Sequence, residues 1–224
     1  MKVSKSTILI FSGGMDSATL LYELLYWKCP VKALGINYGQ RHVRELKAAE
    51  QIAALRGVEY RVLDFSCLRP LLAGSSQTDS SVEVPEGHYA AENMKLTVVP
   101  NRNMIMLSAA IAWAISTKSE AVAYAAHFGD HAIYPDCREE FVMAMEFAAK
   151  TADWHPVEIL RPFINWTKQR IAERGVQLGV PYHITWSCYK GGAVHCGKCG
   201  TCVERREAFR LALLNDPTEY QCDP

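Results

Sequence analysis

The sequence predicts an α/β fold, a doubly wound and mostly parallel sheet with helices on both faces, followed by a small cysteine-rich C-terminal region. Three observations carry this. Short apolar runs alternate with amphipathic stretches of helix length. The first such run, Thr7-Ile8-Leu9-Ile10-Phe11, leads directly into Ser12-Gly13-Gly14-Met15-Asp16-Ser17, and four of the eight cysteines crowd between Cys188 and Cys202. Strand–helix alternation implies a parallel sheet with ligands at the carboxyl ends of its strands, and the glycine pair sits at such an end.

Taken in order, strands are expected at about 7–11, 31–37, 59–64 and 120–127. Leu20, Leu21, Leu24 and Leu25 give the helix after the glycines its apolar face, and Leu46, Ala49, Ile52, Ala53 and Leu55 do so for the next. Asn103 to Ser116 is apolar nearly all round, which predicts a helix buried against the sheet. Between Cys67 and Val98 the chain makes a polar excursion through Gly74-Ser75-Ser76-Gln77-Thr78-Asp79-Ser80-Ser81, and a connection of that length inside a domain reads as a functional lid. Val203 to Leu214 predicts a helix leaving the cysteine cluster. Its Phe209, Ala212 and Leu213 either dock it on the sheet or form a subunit contact, which leaves a homodimer open.

With 224 residues, 49% of them hydrophobic, the chain can bury one large core. Its 24 basic and 24 acidic residues balance, so no global field favours a polyanion, and no nucleic-acid partner is expected. Met1-Lys2-Val3-Ser4-Lys5-Ser6 leads straight into the first strand, and no apolar run reaches the length of a membrane span or a signal-peptide core. The expectation is a cytoplasmic protein that acts on small molecules away from membranes.

The glycine loop has a chemical reading. A strand that turns through two glycines into a helix leaves amide N–H groups aimed at an anion, reinforced by the helix dipole, and Ser12 and Ser17 add hydroxyl donors. A bare tight turn is the competing reading. No Gly-Lys-Ser/Thr ending follows, so the P-loop pattern for γ-phosphoryl transfer is not met. The hexapeptide resembles the SGGxDS signature of the ATP pyrophosphatase (PP-loop) superfamily, which has the adenine nucleotide alpha hydrolase-like fold. That resemblance implies ATP binding around Phe11, Ser12, Gly13, Gly14, Met15, Asp16 and Ser17, with Asp16 organising the phosphates and their Mg²⁺.

The second constellation is Cys188-x7-Cys196-x2-Cys199-x2-Cys202, with glycines at 191, 192, 197 and 200 that relax the backbone around it. In a reducing compartment such clustering favours metal thiolates over disulfides and predicts a closed, structural Zn²⁺ site. An iron–sulfur cluster, unliganded core cysteines, or His195 in place of one sulfur are the alternatives. The expected division is a nucleotide-binding domain over 1–180 and a zinc-binding knot with a helix over 181–224.

Asn37-Tyr38-Gly39-Gln40-Arg41-His42, Val99-Pro100-Asn101-Arg102-Asn103, Tyr134-Pro135-Asp136-Cys137-Arg138 and Ser187-Cys188-Tyr189 with Cys196-Gly197-Lys198-Cys199 occur together and in order. Jointly they resemble the 7-cyano-7-deazaguanine (preQ0) synthase family over nearly the whole chain, from Leu9 to Phe209. The resemblance implies an ATP-dependent carbon–nitrogen ligase. Such an enzyme takes 7-carboxy-7-deazaguanine and ammonia to the nitrile through an adenylate, an amide and a second adenylate, releasing AMP and pyrophosphate. It makes Tyr38, Gln40 and Arg41 nucleotide contacts. Arg102 and Arg138 become candidates for carboxylate or phosphate contacts, each with an ordinary ion pair as its alternative. Asp136 would hold an arginine or the deazaguanine amidine edge, unless it only forms a turn. His42 is either an acid–base group or a structural histidine, and Cys137 is expected to pack or line the site.

The family often reads Asp-Phe/Tyr-Ser-Gly before Tyr-Pro-Asp-Cys-Arg, where this chain has Asp130-His131-Ala132-Ile133. Losing a hydroxyl and a hinge there leaves open an enzyme that stops at the amide or uses another amine. A tRNA-modifying PP-loop enzyme and a zinc-knot adaptor are the more distant alternatives.

Overall fold

The computed structural model describes residues 4–88 and 92–222; the first three residues of the N-terminal lead, 89–91 within the polar excursion, and the last two residues lie outside that range. Five strands form one sheet: β1 (Thr7–Ile10), β2 (Val31–Asn37), β3 (Glu59–Asp64), β4 (Ala121–Ala123) and β5 (Glu158–Leu160). All pairings are parallel, in the order β3-β2-β1-β4-β5. The six α-helices are α1 (Met15–Tyr26), α2 (Arg44–Leu55), α3 (Arg102–Ser116), α4 (Glu139–Ala152), α5 (Lys168–Leu178) and α6 (Gly200–Leu211). The doubly wound class expected from the sequence is the one observed.

Strand alternation sorts the core into two layers, because successive side chains point to opposite faces of a sheet. Ile8, Leu34, Ile36, Val122 and Ile159 pack with Leu107, Ile111 and Ala114 of α3 and Val142 and Ala149 of α4. Leu9, Ala33 and Ala123 face the other way and pack with residues of α1, α2, α5 and α6, including Leu20, Ile52, Ile171 and Phe209. The chain reverses its winding between β1 and β4, so a crevice opens there beyond the strand ends.

Four local expectations change. β4 ends at Ala123 rather than near 127, because Tyr124 makes one last bond to the Leu160 carbonyl (3.1 Å) before the chain turns into the crevice. β5 was not anticipated: three residues between Pro156 and Pro162 are too few to show a period. α3 buries only the stripe Asn103, Leu107, Ala110, Ile111 and Ala114, while Met104 is exposed, since alanines and a serine fill much of its other side. In the polar excursion, Ser75, Ser76, Gln77 and Thr78 are buried rather than solvated. The Ser76 amide bonds the Leu96 carbonyl (2.7 Å) and the Arg41 amide bonds the Gln77 carbonyl (2.8 Å), so the segment is packed down. At the C-terminus, Phe209 enters the core while Leu213 is 93% exposed, which makes α6 a helix docked on the sheet.

Candidate active site

β1 delivers Ser12, Gly13 and Gly14 to the crevice, and α1 begins immediately after, with Gly14 as a cap residue that supplies no side-chain hydrogen bond. The first turn of α1 therefore presents its amides without a competing cap. Ser12 Oγ lies 3.1 Å from Ser17 Oγ and accepts from the Gly14 amide (3.3 Å), which tightens the loop into a ring of donors. Gly13 has φ +83°, and a Cβ placed there would stand 2.3 Å from the Glu45 carbonyl and 2.6 Å from the Ala49 amide of α2. Only glycine fits.

The loop forms one wall of a cleft of about 210 Å³, which Asp16, Tyr38, Arg102 and Lys168 also line. Trp186, Tyr189 and Thr201 of the cysteine-rich region line it too. That region is bonded to the loop itself, through the Trp186 amide and the Gly13 carbonyl at 3.0 Å.

Lys168, the first residue of α5, went unnoticed in the sequence. Its Nζ donates to Asp16 Oδ2 at 2.6 Å and lies 3.1 Å from both Glu204 Oε2 on α6 and His127 Nε2. Burial pulls the Lys168 ammonium toward neutrality, but Asp16, Glu204 and Asp130 outweigh it and raise its pKa. Burial likewise pushes Asp16 up, yet Lys168 and His127 hold it below the ordinary aspartate value. Glu204 goes the other way, raised by burial more than Lys168 lowers it. The signal that could have found Lys168 is its place just behind Thr167, an N-cap whose side chain accepts from the Arg170 amide.

The remaining sequence candidates separate into those at the cleft and those away from it. Met15, Asp16, Ser17, Tyr38, His42 and Arg102 line it. The Phe11 side chain is fully buried in the core, edge-on to Tyr60. Gln40 is buried and folded back, accepting from the Tyr38 amide and donating to the Ile36 carbonyl and Glu45. Arg41 reaches the Asp79 and Val82 carbonyls of the excursion. Asp136 Oδ2 accepts from the Asn103 amide (3.2 Å) in the first turn of α3, so it braces that helix start from a distance. Arg138 is exposed and donates to the His131 carbonyl. Cys137 lines the cleft, but burial and the nearby Asp130 and Asp136 push its thiol well above the ordinary value, leaving no thiolate nucleophile. His42 Nε2 faces Glu45 at 3.3 Å. In the departing segment, Ile133 enters the α3/α4 core and Ala132 is exposed, and neither lines the cleft.

The sulfurs of Cys188, Cys196, Cys199 and Cys202 lie within 4.8 Å of one another, all buried. Separations of 3.5 Å for Cys199–Cys202 and 4.0 Å for Cys196–Cys202 and for Cys188–Cys199 bracket the roughly 3.8 Å edge of a tetrahedron with Zn–S bonds of about 2.3 Å. Backbone amides of Lys198 and Cys199 point at Cys196 Sγ, and that of Cys196 at Cys188 Sγ, as thiolate charge requires. His195 is not a fifth candidate. Its Nε2 accepts from the Ser187 amide (3.0 Å), its ring packs at a tilt against Trp186, and burial lowers its pKa to about 4.

Comparison with known proteins agrees with this geometry. The model of the family described as queuosine biosynthesis protein QueC matches residues 6–213. The 7-cyano-7-deazaguanine synthase of Hahella chejuensis is 52% identical over 219 residues, covering 98% of this chain and 94% of that protein. That of Pseudoalteromonas translucida is 48% identical, covering 98% and 100%. Among solved structures, an NMN synthetase from Francisella tularensis aligns with 95% of this chain and 79% of its own, at a TM-score of 0.52 and 16% identity, a likeness of fold alone.

Proposed function

The chain belongs to the family of the queuosine biosynthesis protein QueC, and from that membership we infer that it is a carbon–nitrogen ligase that makes 7-cyano-7-deazaguanine. Its substrates in this reading are 7-carboxy-7-deazaguanine, ammonia and two molecules of ATP. The observation that carries the mechanism is one cleft in which an uncapped helix start meets a half-buried lysine paired to the loop aspartate.

A carboxylate resists ammonia because oxide is a poor leaving group. Attack of a carboxylate oxygen on the α-phosphorus of ATP forms the acyl adenylate and expels pyrophosphate. Ammonia then displaces AMP and loses a proton, giving the amide. The amide oxygen attacks the α-phosphorus of a second ATP and expels pyrophosphate, and loss of AMP and of both amide protons leaves the nitrile. In both adenylations charge develops on departing pyrophosphate, so preorganised donors matter more than a nucleophile. The α1 amides, Ser12 and Ser17 supply these donors. Lys168 brings in from α5 the cation that the loop itself lacks. The Asp16 carboxylate holds Lys168 with Oδ2, while its Oδ1 is buried without a partner among the described residues, an oxygen suited to a divalent cation. Mg²⁺ bound there would neutralise pyrophosphate as it leaves.

The four thiolates suit a structural Zn²⁺ with no open coordination position. Its role is to fold the segment that closes the cleft. No described helix is long and apolar enough to cross a membrane. Cysteines free of disulfides at such a site fit the reducing cytoplasm. The core position of Ile133 supports the full reaction to nitrile despite the departure before Tyr134. Incubation with the acid, an ammonium salt and MgATP, followed by mass spectrometry, tests the reading. The expected outcome is nitrile with two AMP per product, and accumulation of the amide alone would overturn it.

A further inference from the structure

The inference concerns the opposite wall of the cleft and rests on the ligase reading above. α1 and α3 pack on opposite faces of the sheet, yet both begin at the carboxyl edge of its strands, so two helix starts face one cleft. The start of α1 carries the phosphate loop. The start of α3 carries Arg102, which lines the cleft together with Tyr38, Tyr134 and Tyr189.

Arg102 has few partners for a shielded charge. Its guanidinium stands 5.8 Å from the Tyr134 ring centre, its Nε reaches Asn103 Oδ1 at 3.3 Å, and it contacts the Tyr38 hydroxyl. No described carboxylate pairs with it, in contrast to Arg161, Arg174 and Arg205. Asp136 acts on it only through space: its Oδ2 is held by the Asn103 amide and its Oδ1 is buried without a partner among the described residues. Burial pushes the Tyr38 hydroxyl up to about 12, so it stays neutral and offers no counter-charge. Arg102 is half-buried at the cleft wall, and the field of Asp136 favours its charge without any direct anionic partner, which an arriving anion would supply. The planar fork of arginine matches a carboxylate, and three phenol rings give the surroundings the flat apolar surfaces that a fused heterocycle needs.

We propose that Arg102, inside this tyrosine cage, holds the carboxylate of the planar heteroaromatic acid and turns one oxygen toward ATP seated at α1. Phosphate then sits at the α1 start and the carboxylate on the Arg102 side chain across the cleft, and the bond formed on adenylation joins them. The carboxamide intermediate is neutral and cannot make the same charged pair. Arg102 therefore serves the first adenylation and contributes little to the second.

Feeding the enzyme either the acid or the ready-made carboxamide, each with MgATP, tests this. R102Q is expected to raise KM for the acid about 30-fold, the loss of a hydrogen bond to a charged group, with the carboxamide changed by less than about threefold and KM for ATP unmoved. R102K keeps the charge and loses the fork; it should show the same split at about tenfold, and it decides the question if R102Q does not fold. An equal rise for acid and carboxamide, or a rise in KM for ATP, overturns the assignment. Equilibrium titration without ATP gives a second readout. The wild type should bind the acid more tightly than the carboxamide and R102Q should lose that preference, whereas a preference kept in R102Q overturns the proposal. Absence of turnover in the wild type would count against the ligase reading alone, because the titration still judges Arg102.

Discussion

Replacing Lys168 by methionine removes the only cation bonded to Asp16 among the described residues and leaves Asp16, Glu204 and Asp130 gathered around an apolar chain. Breaking a buried pair costs about 3–5 kcal/mol. The side chains of Lys168, Asp16 and Glu204 keep 15%, 23% and 11% exposure through the cleft, which places the loss near the lower end, about 3 kcal/mol. The sign of its pH dependence follows from the two acids. In the wild type Asp16 is held below its ordinary value, so its contribution is present above about pH 4 and fades on acidification. In K168M burial is left as the dominant influence on Asp16, its pKa rises, and neutralisation by a proton becomes the way to relieve the cluster. Glu204, already raised in the wild type, moves further in the same direction. The deficit of the variant should therefore be about 3 kcal/mol at pH 8 and shrink to about 1 kcal/mol at pH 5. Urea denaturation at the two pH values measures it. The double variant K168M/E204Q should recover part of the pH 8 loss. A deficit equal at both pH values, or one below about 1 kcal/mol at pH 8, would refute the account of Lys168 as the counter-charge. Pyrophosphate release by K168M should also fall by about 10²-fold or more.

Gly13→Ala meets the backbone of α2 at Glu45 and Ala49 and a positive φ, so a loss of about 3 kcal/mol is expected in chemical denaturation, with activity falling further because α2 must retreat from the loop. Arg205 is fully buried and joins Asp216, Thr185 and the Tyr182 carbonyl; R205M should cost about 3–4 kcal/mol, and a melting temperature equal to wild type would contradict this. Cys199→Ser, or chelation of the wild type, should release the metal, shift the fluorescence of Trp186 and abolish turnover, with metal content read by elemental analysis.

What could be read from the sequence was local in it. The strand, the glycine pair and the helix behind them lie within twenty consecutive residues, and the four cysteines within fifteen, so spacing alone exposed both. Lys168 could not be found that way, since it is 152 residues from Asp16 and the Thr167 cap before it marks a helix start but not a phosphate site. β5 was too short to display alternation. Proximity to a motif also overreached. Phe11, Gln40 and Arg41 flank the functional segments, but the side chains of Phe11 and Gln40 hold the strand ends in place and that of Arg41 holds the excursion. Residues 75–78 of the connection read as a functional lid are buried, their backbone partly paired while Ser76 Oγ and the Gln77 amide atoms have no partner among the described residues, and composition does not show such burial.

The bond between the Trp186 amide and the Gly13 carbonyl, with the Glu204–Lys168 pair beside it, ties the first loop of the chain to the segment organised by the cysteines. Two sites joined in this way share a contact that a ligand at either can bias. Whatever order nucleotide imposes on the loop is passed to the thiolate segment, and thermodynamic reciprocity requires the same factor in return. A metal held by the four sulfurs and a nucleotide held by the loop would thus change each other's affinity by one and the same factor.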